Sequence, residues 1–253
     1  MNTAHRLSDG PPRVRRRRAR DMVPASVRRG VAQWRLRGED VECTCCGRSF
    51  RSFAPYKRGW PVACPGCGSD ARHRLLAHYL RTELGGHWPA GGSCISRREP
   101  WVAPLLDVAG ADYVSADIDD PRAELNFDIQ DIPLPPDTVD VIVCSHVLEH
   151  VPDDRRATRE LVRILRPGGV ALVLVPQDPS RSETYEDPSI TSPEDRLAHF
   201  WQADHLRLYG TDVGSRLEED GFTVLVDRYM DVVNPQLVAR HVMWSPGMCV
   251  ATK

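Results

Sequence analysis

The sequence predicts an α/β fold built on a parallel sheet, with a small cysteine-held unit ahead of it. Three observations carry this. The runs "VDVIVC" (139–144) and "VALVLV" (170–175) are nearly continuously apolar, as strands buried on both faces are. Between them "DDRRATRELVRIL" reads as a helix opened by Asp153 and Asp154 and stopped at "RPGG", which completes a strand–helix–strand crossover. Upstream, "CTCCG" and "CPGCG" supply two C-x-x-C pairs with seventeen residues between them.

The elements follow in chain order. Residues 1–38 hold eleven arginines, no lysine and only Asp9 and Asp21, a net +9 that leaves −11 for the rest of a chain whose total is −2. With Gly10-Pro11-Pro12 and Arg15–Arg18 the segment is too poor in apolar residues to fold alone, so it is expected to be a disordered tail. Such a tail also has the charge to attract RNA or another acidic partner. Residues 39–70 are expected to form a zinc ribbon. Cys43, Cys46, Cys64 and Cys67 have the spacing of a four-thiolate Zn²⁺ site, which is closed and therefore structural. Gly47 and Gly68 permit the tight turns behind each pair. Arg48, Phe50, Arg51, Phe53, Tyr56, Lys57, Arg58 and Trp60 lie between the pairs, where they can pack the ribbon on its neighbour or stack on a nucleic acid. "SDARHRLLAHYLRTEL" has helical periodicity and predicts a connecting helix over 70–84, with His73 and His78 on its polar face. The main domain is expected over 85–253. Its strands are predicted at 92–96, 112–117, 125–128, 139–144, 170–175, 222–228 and 247–252, and its helices at 100–109, 153–165 and 206–219. Cys94, Cys144 and Cys249 fall in apolar runs and read as core residues.

Composition is ordinary for a globular protein, with 41% hydrophobic and 27% charged residues. No window approaches the ~20 apolar residues of a membrane span. The basic N-terminal stretch has no apolar run behind it, so a secretory signal is not expected and the cytoplasm is the expected location.

The stretch "NFDIQDIPLPPDTVDVIVCSHVLEHVPDDRRATRELVRILRPGGVALVLVP" (126–176) resembles the core of class I S-adenosylmethionine-dependent methyltransferases. "DHLRLYGTDVGSRLEEDGFTVLV" further on is similar to the segment before the final strand pair of that family, and the cysteine pairs followed by "RHRLL" resemble a subgroup carrying a ribbon. The resemblance implies a Rossmann-like, doubly wound seven-stranded sheet with an antiparallel final hairpin, and S-adenosyl-L-methionine as cofactor. It implies that Asp117 accepts the ribose hydroxyls, that Asp128 and Ile129 meet adenine, and that Ser145 borders the methionine end. His146 is then the first candidate general base and His150 the second, with 177–205 forming the acceptor wall. Glu149 and His150 read equally well as caps of the following helix. The family's glycine-rich loop after the first strand has no G-x-G here; "SCISRREPWVAPLL" stands in its place, and Glu99 with the backbone near Ser96 is expected to do its work.

Two functions from different classes are open to this sequence. One is a methyltransferase acting on a small molecule, a glycan precursor or RNA. The other is a non-catalytic binding protein whose degenerate methyltransferase fold and zinc ribbon engage a partner.

Overall fold

The computed structural model describes residues 24–56, 60–84, 92–97, 112–226 and 228–253. Seven strands form the central sheet: β5 (Ser93–Arg97), β6 (Asp112–Asp117), β7 (Leu125–Asn126), β8 (Val139–Ser145), β9 (Leu165–Val175), β12 (Thr223–Val226) and β13 (Gly247–Thr252). Their order is β12-β13-β9-β8-β5-β6-β7. The five from β5 to β9 are parallel, whereas β13 runs antiparallel to both β9 and β12. The chain moves outward from β5 to β7 and then returns to the other side of β5 as β8. Loops leaving β5 and β8 therefore diverge, and a crevice opens at the carboxyl ends of the strands.

Side chains alternate across each strand, which assigns the apolar runs to two cores. Val141, Val143, Leu172, Leu174, Met248 and Val250 face one side. Ile142, Cys144, Ala171, Val173, Val175, Cys249 and Ala251 face the other. The second side is covered by α3 (Asp154–Ile164), whose Ala157, Leu161 and Ile164 form its buried stripe, and by α5 (Val213–Glu219). Asp153 caps α3 by accepting from the backbone N–H of Arg156 at 2.8 Å. Within the first half of β9, a Cβ on Gly169 would sit 2.8 Å from the carbonyl oxygen of Asp140, so only glycine fits there.

The first side is covered by α2 (Ala71–Thr82). This helix was expected to be a connector with a polar face, but both faces are occupied. Leu75, Leu76 and Leu80 share a core with the sheet, and Cys43, Phe50, Phe53 and Cys64 of the ribbon join the same core. His73 is buried rather than on a polar face; its Nδ1 accepts from the Asp70 N–H at 3.1 Å while Asp70 accepts from the His73 N–H, a reciprocal cap. His78 is half-buried, its ring tilted against Tyr229.

Arg74 joins the two parts. It is fully buried and donates to the carbonyls of Val62 (2.8 Å), Ser69 (3.1 Å), His241 (2.7 Å) and Val242 (2.9 Å), with its guanidinium 3.9 Å from the centre of the Phe53 ring. Two of these carbonyls end α6 (Pro235–His241), where the helix dipole favours a cation.

The ribbon consists of two short antiparallel pairs, β1 (Val41–Glu42) with β2 (Ser49–Phe50) and β3 (Ala54–Pro55) with β4 (Pro61–Ala63). Phe50 and Phe53 pack inward, which favours the packing role for them, while Tyr56 and Trp60 are exposed. Lys57 and Arg58 lie outside the described residues.

Several expectations need correction. Part of the expected disordered tail is α1 (Ala25–Arg35), held because Leu36 packs on the ribbon core, Arg51 N–H donates to Leu36 O at 2.9 Å and Gln33 Nε2 donates to Pro65 O at 3.1 Å. The helix expected over 206–219 starts only at Val213. Residues Arg207–Leu208 are instead β11, paired with β10 (Tyr185–Glu186), and a Cβ on Gly210 would lie 2.5 Å from the Glu183 backbone. The segment 177–205, expected as the acceptor wall, contains a helix that was not among those predicted, α4 (Pro193–Phe200), capped by Ser192. The last two strands pair antiparallel as expected, and the chain between them includes a 3₁₀ turn (Tyr229–Asp231) and α6, which was not expected. The expected helix 100–109, Glu99 and the arginine run 15–18 lie outside the described residues.

Candidate active site

A cavity of about 410 Å³ opens at the carboxyl ends of β5, β6 and β8, within the size range of small-ligand sites. One part is apolar, with Ile95, Phe127, Ile129, Ile132 and Val147 among its walls. The rest is ringed by Asp117, Asp128, His146, His150 and Asp204.

Asp117 closes β6. Its Oδ1 accepts the backbone N–H groups of Asp119 (3.0 Å) and Asp120 (3.1 Å), which fixes the carboxylate. Its Oδ2 accepts from Arg97 Nε at 3.0 Å. Burial pushes this carboxyl up, but the Asp119 amide, the Arg97 guanidinium and the Asp120 amide outweigh it, so Asp117 lies below the usual range and stays ionised. Arg97, at the end of β5 and half exposed, went unread in the sequence. It can swing away from Oδ2, the oxygen that the backbone leaves open.

Asp128 and Ile129 both line the cavity. The Asp128 carboxylate takes the Gln130 side-chain amide at 2.9 and 3.0 Å, and Gln130 Oε1 in turn accepts the N–H of Asp153 at 3.0 Å. This corner is thereby tied to the start of α3. Ser96 lines the cavity too, its Oγ donating to Arg97 O at 2.9 Å and sharing a hydrogen bond with Tyr113 Oη at 3.1 Å.

Ser145 does not line the cavity. Alternation along β8 puts it on the Val141 and Val143 side, facing α2, where its Oγ is buried without a hydrogen-bond partner among the described residues.

His146 is placed by strain. Its φ is +54°, a left-handed conformation uncommon for a residue with a Cβ, and its N–H donates to Leu174 O at 2.8 Å. The chain turns sharply off β8 there, and His146 Nδ1 comes 2.9 Å from Glu149 Oε1. Glu149 is fully buried and does not cap α3, as one reading had it. Burial raises its pKa, yet the hydrogen bond and charge of His146 and the nearby His150 bring it below the ordinary value. An ionised Glu149 accepts the Nδ1 proton and leaves Nε2 as the acceptor of His146. His150 stands at the rim, its Nδ1 3.3 Å from Asp204 O and 3.5 Å from Asp204 Oδ2.

The "HLRLYG" stretch explains how this loop is held. Leu206 N–H donates to Glu149 O at 2.8 Å. Arg207, buried, donates to the carbonyls of Leu148, Val151 and Pro152 at 2.7–3.0 Å and pairs with Glu186. Tyr209 Oη donates to Asp154 Oδ2 at 2.8 Å. His205, 1% exposed, directs Nε2 toward Glu149 Oε1 at 4.0 Å. Its importance was not legible beyond its membership in the resemblance, because 55 residues separate it from His150.

The four cysteines come together as their spacing predicts. Cys43, Cys46, Cys64 and Cys67 form one cluster, with Sγ–Sγ distances of 3.7 Å (Cys43–Cys67) and 3.8 Å (Cys46–Cys64). An ion at ~2.3 Å from each sulfur in tetrahedral array needs sulfur separations of about 3.8 Å. Gly47 and Gly68 have φ of +69° and +84°, and the amides of Arg48 and Cys67 face the sulfurs of Cys46 and Cys64. Cys45 is buried and stands outside the cluster.

Comparison with known proteins gives the following similarities. Residues 100–173 match the methyltransferase domain family. A probable S-adenosylmethionine-dependent methyltransferase of Mycolicibacterium smegmatis is 39% identical over 116 residues, 42% of this chain and 44% of that protein. The chloroplastic 2-methyl-6-phytyl-1,4-hydroquinone methyltransferase 2 of rice is 42% identical over 53 residues, 21% of this chain and 15% of that one. The chain thus spans less than half the length of these curated relatives. Among solved structures, the 1,6-didemethyltoxoflavin-N1-methyltransferase of Burkholderia thailandensis superposes with a TM-score of 0.46 at 15% identity, covering 70% of this chain and 75% of that one. No described helix is long and apolar enough to cross a membrane. With five parallel strands, the antiparallel β13 inserted beside β9, and the family match through β8 and α3, the seven-stranded part of this chain has the Rossmann-like methyltransferase fold and is similar to class I S-adenosylmethionine-dependent methyltransferases, and a four-cysteine cluster precedes it.

Proposed function

We propose that this chain transfers a methyl group from S-adenosylmethionine to an acceptor bound against residues 146–150 and 204. The observation that carries the reading is Asp117: an ionised carboxylate at the end of the second parallel strand, oriented by two backbone amides, at the rim of a cavity of cofactor size. When bound, S-adenosylmethionine supplies an electrophilic methyl group on a sulfonium. Asp117 Oδ2 accepts the ribose hydroxyls after Arg97 turns away. Phe127, Ile129 and Ile132 enclose the adenine ring, and Asp128 accepts from its amine in exchange for the Gln130 amide. Ser96 supports this end of β5 through Tyr113. Ser145 supports the β8 end from behind and does not touch the ligand. Glu99, which follows β5 in sequence, keeps its expected role toward the cofactor.

His146 accepts the proton of the acceptor at Nε2, with Glu149 fixing its ring. Positioning of the two reactants accounts for roughly 7–11 kcal/mol of barrier lowering. A base adds about 10²–10⁴-fold. His150, turned toward Asp204, is the weaker candidate base. The four thiolates hold a structural Zn²⁺ ion that fastens the ribbon onto α2. A small-molecule or glycan-precursor acceptor is favoured over RNA, because the body carries −11 and the cavity rim includes Asp117, Asp128 and Asp204. The rice relative, by its name a methylphytylhydroquinone methyltransferase, fits a small acceptor.

The test is to incubate the protein with methyl-labelled S-adenosylmethionine and panels of hydroquinones, glycan precursors and RNA, following S-adenosylhomocysteine release. Label transfer lowered at least 100-fold by His146→Gln, with cofactor binding retained, supports the reading. No cofactor binding at millimolar concentration would sink it and favour the non-catalytic binding protein.

A further inference from the structure

We propose that Glu149, His150 and His205, assisted by Asp204, form a second metal site, one for a borderline divalent ion such as Zn²⁺ or Co²⁺, at the acceptor end of the cavity. It is distinct from the four-cysteine cluster, and the binding claim does not depend on methyl transfer.

Two acid–histidine pairs, Glu149-His150 and Asp204-His205, are brought face to face from loops 55 residues apart. One ligand atom from each of Glu149, His150 and His205 lies within 4.8 Å of the other two. The approach is built into the fold, because Leu206 N–H is bonded to Glu149 O and Arg207 clamps the carbonyls on either side of Glu149-His150.

Each ligand is prepared. His205 Nδ1 lies 2.8 Å from Phe200 O; a carbonyl only accepts, so Nδ1 carries the proton and Nε2 is an acceptor, 2.6 Å from the Gln202 amide and 4.0 Å from Glu149 Oε1. A backbone carbonyl on the far nitrogen is the usual way a protein orients a metal-binding imidazole. Glu149 is fully buried, and only Oε1 is engaged, by His146. Its Oε2 is buried without a hydrogen-bond partner among the described residues. A buried carboxylate oxygen without a partner is costly unless a cation or proton donor serves it. His150 and the exposed Asp204 carboxylate complete the group on the cavity side and offer a route in.

Two imidazoles with carboxylate suit Zn²⁺ or Co²⁺ better than a hard alkaline-earth ion. Binding requires only side-chain adjustment. The Gln202 amide, 2.6 Å from His205 Nε2, must turn aside, and the donor atoms must draw in to about 3.4 Å apart for bonds of ~2.1 Å. A site of this make-up leaves a coordination position toward the cavity for an anionic oxygen. If the proposed methyl transfer holds, that oxygen belongs to the acceptor, which is then a phenol, enol or carboxylate.

The experiment is a Co²⁺ titration of the full-length, metal-stripped protein, followed by visible absorption and bound metal per chain. The expected result is two equivalents. One shows sulfur-to-cobalt charge transfer and strong ligand-field bands from four thiolates, the other only the weak bands of nitrogen and oxygen ligands. Glu149→Gln, His205→Ala and His150→Ala should each weaken the second binding at least tenfold and leave the thiolate spectrum unchanged. His150 is partly exposed, so that variant keeps the test open if either buried change disturbs folding. One equivalent in the wild type, with thiolate bands alone, overturns the proposal. So does a second equivalent that persists with unchanged affinity in folded His150→Ala and Glu149→Gln.

Discussion

Replacing Arg74 with methionine tests how the ribbon and the sheet domain are joined. The guanidinium is fully buried without a carboxylate partner among the described residues, and four backbone carbonyls accept its protons: Val62 and Ser69 in the ribbon, His241 and Val242 at the end of α6. Burial alone lowers its pKa, and the cysteine thiolates and Asp70 oppose that. Methionine fills similar space and removes the cost of burying a charge, but it takes a donor from four acceptors, of which Ser69 O keeps the Cys64 N–H at 2.8 Å and the other three lose the Arg74 donor. Each orphaned carbonyl costs on the order of 1 kcal/mol or more. After allowing for the relieved desolvation, the expected loss is about 2–4 kcal/mol, a large part of the ~5–15 kcal/mol of a typical domain. Arg74→Lys keeps the charge but cannot fork to four acceptors, so about half that loss is expected. Urea unfolding followed by circular dichroism measures both. Variants within 0.5 kcal/mol of wild type would refute the view that this side chain fastens the two units.

Other outcomes follow from buried groups. His73 is pushed down to about 4, chiefly by burial, with Arg72, His146 and Arg74 adding to this and Asp70 opposing it. The unfolded chain takes up this proton near pH 6.5 and the folded chain does not, so stability should fall between about pH 6.5 and 4, by up to ~1.4 kcal/mol per pH unit. His73→Gln should flatten that slope in pH-dependent urea titrations. Asp154, raised by burial but lowered further by Arg207, Arg216 and Tyr209, lies below its ordinary value. It therefore stabilises above the unfolded carboxyl pKa, near 4, and the effect is lost as pH falls through its folded value. Asp154→Asn should cost about 2–4 kcal/mol at pH 7, and the gap from wild type should shrink in acid. Cys64→Ser should lose one metal equivalent and lower the unfolding midpoint of the whole protein, because Phe50 and Phe53 share a core with α2. Unchanged melting would contradict a structural role for the cluster.

The parallel core was legible because buried strands carry unbroken apolar runs. β6, α3 and β13 lie where periodicity and caps place them, within one residue at each end. The four cysteines were legible because a metal cluster requires local spacing. Arg74 was not, since nothing local distinguishes an arginine bonded to distant carbonyls from one in solvent. α4 and α6 were missed although Ser192-Pro193 and Asn234-Pro235 carry the cap-then-proline signature of a helix start. Their apolar stripes are thin, and that removed the periodic signal. At the site, Asp117, Asp128, Ile129, His146 and His150 all reach the cavity. Ser145 was misplaced because the two-residue alternation of β8 turns it away. Glu149 looked like a helix cap because its burial depends on Leu206 and His205 folding over it, a long-range contact that no window of sequence displays.

The central claim, that this cavity is an S-adenosylmethionine site organised on Asp117, is tested most directly by calorimetric titration of the cofactor into wild type, Asp117→Ala and Arg97→Ala. Losing a hydrogen bond to a charged group costs about 1.5–3 kcal/mol, or roughly 10–150-fold in affinity. Asp117→Ala should weaken binding by that factor. Arg97→Ala, which frees Oδ2, should bind as tightly as wild type or more so. Equal affinity in wild type and Asp117→Ala would contradict the account.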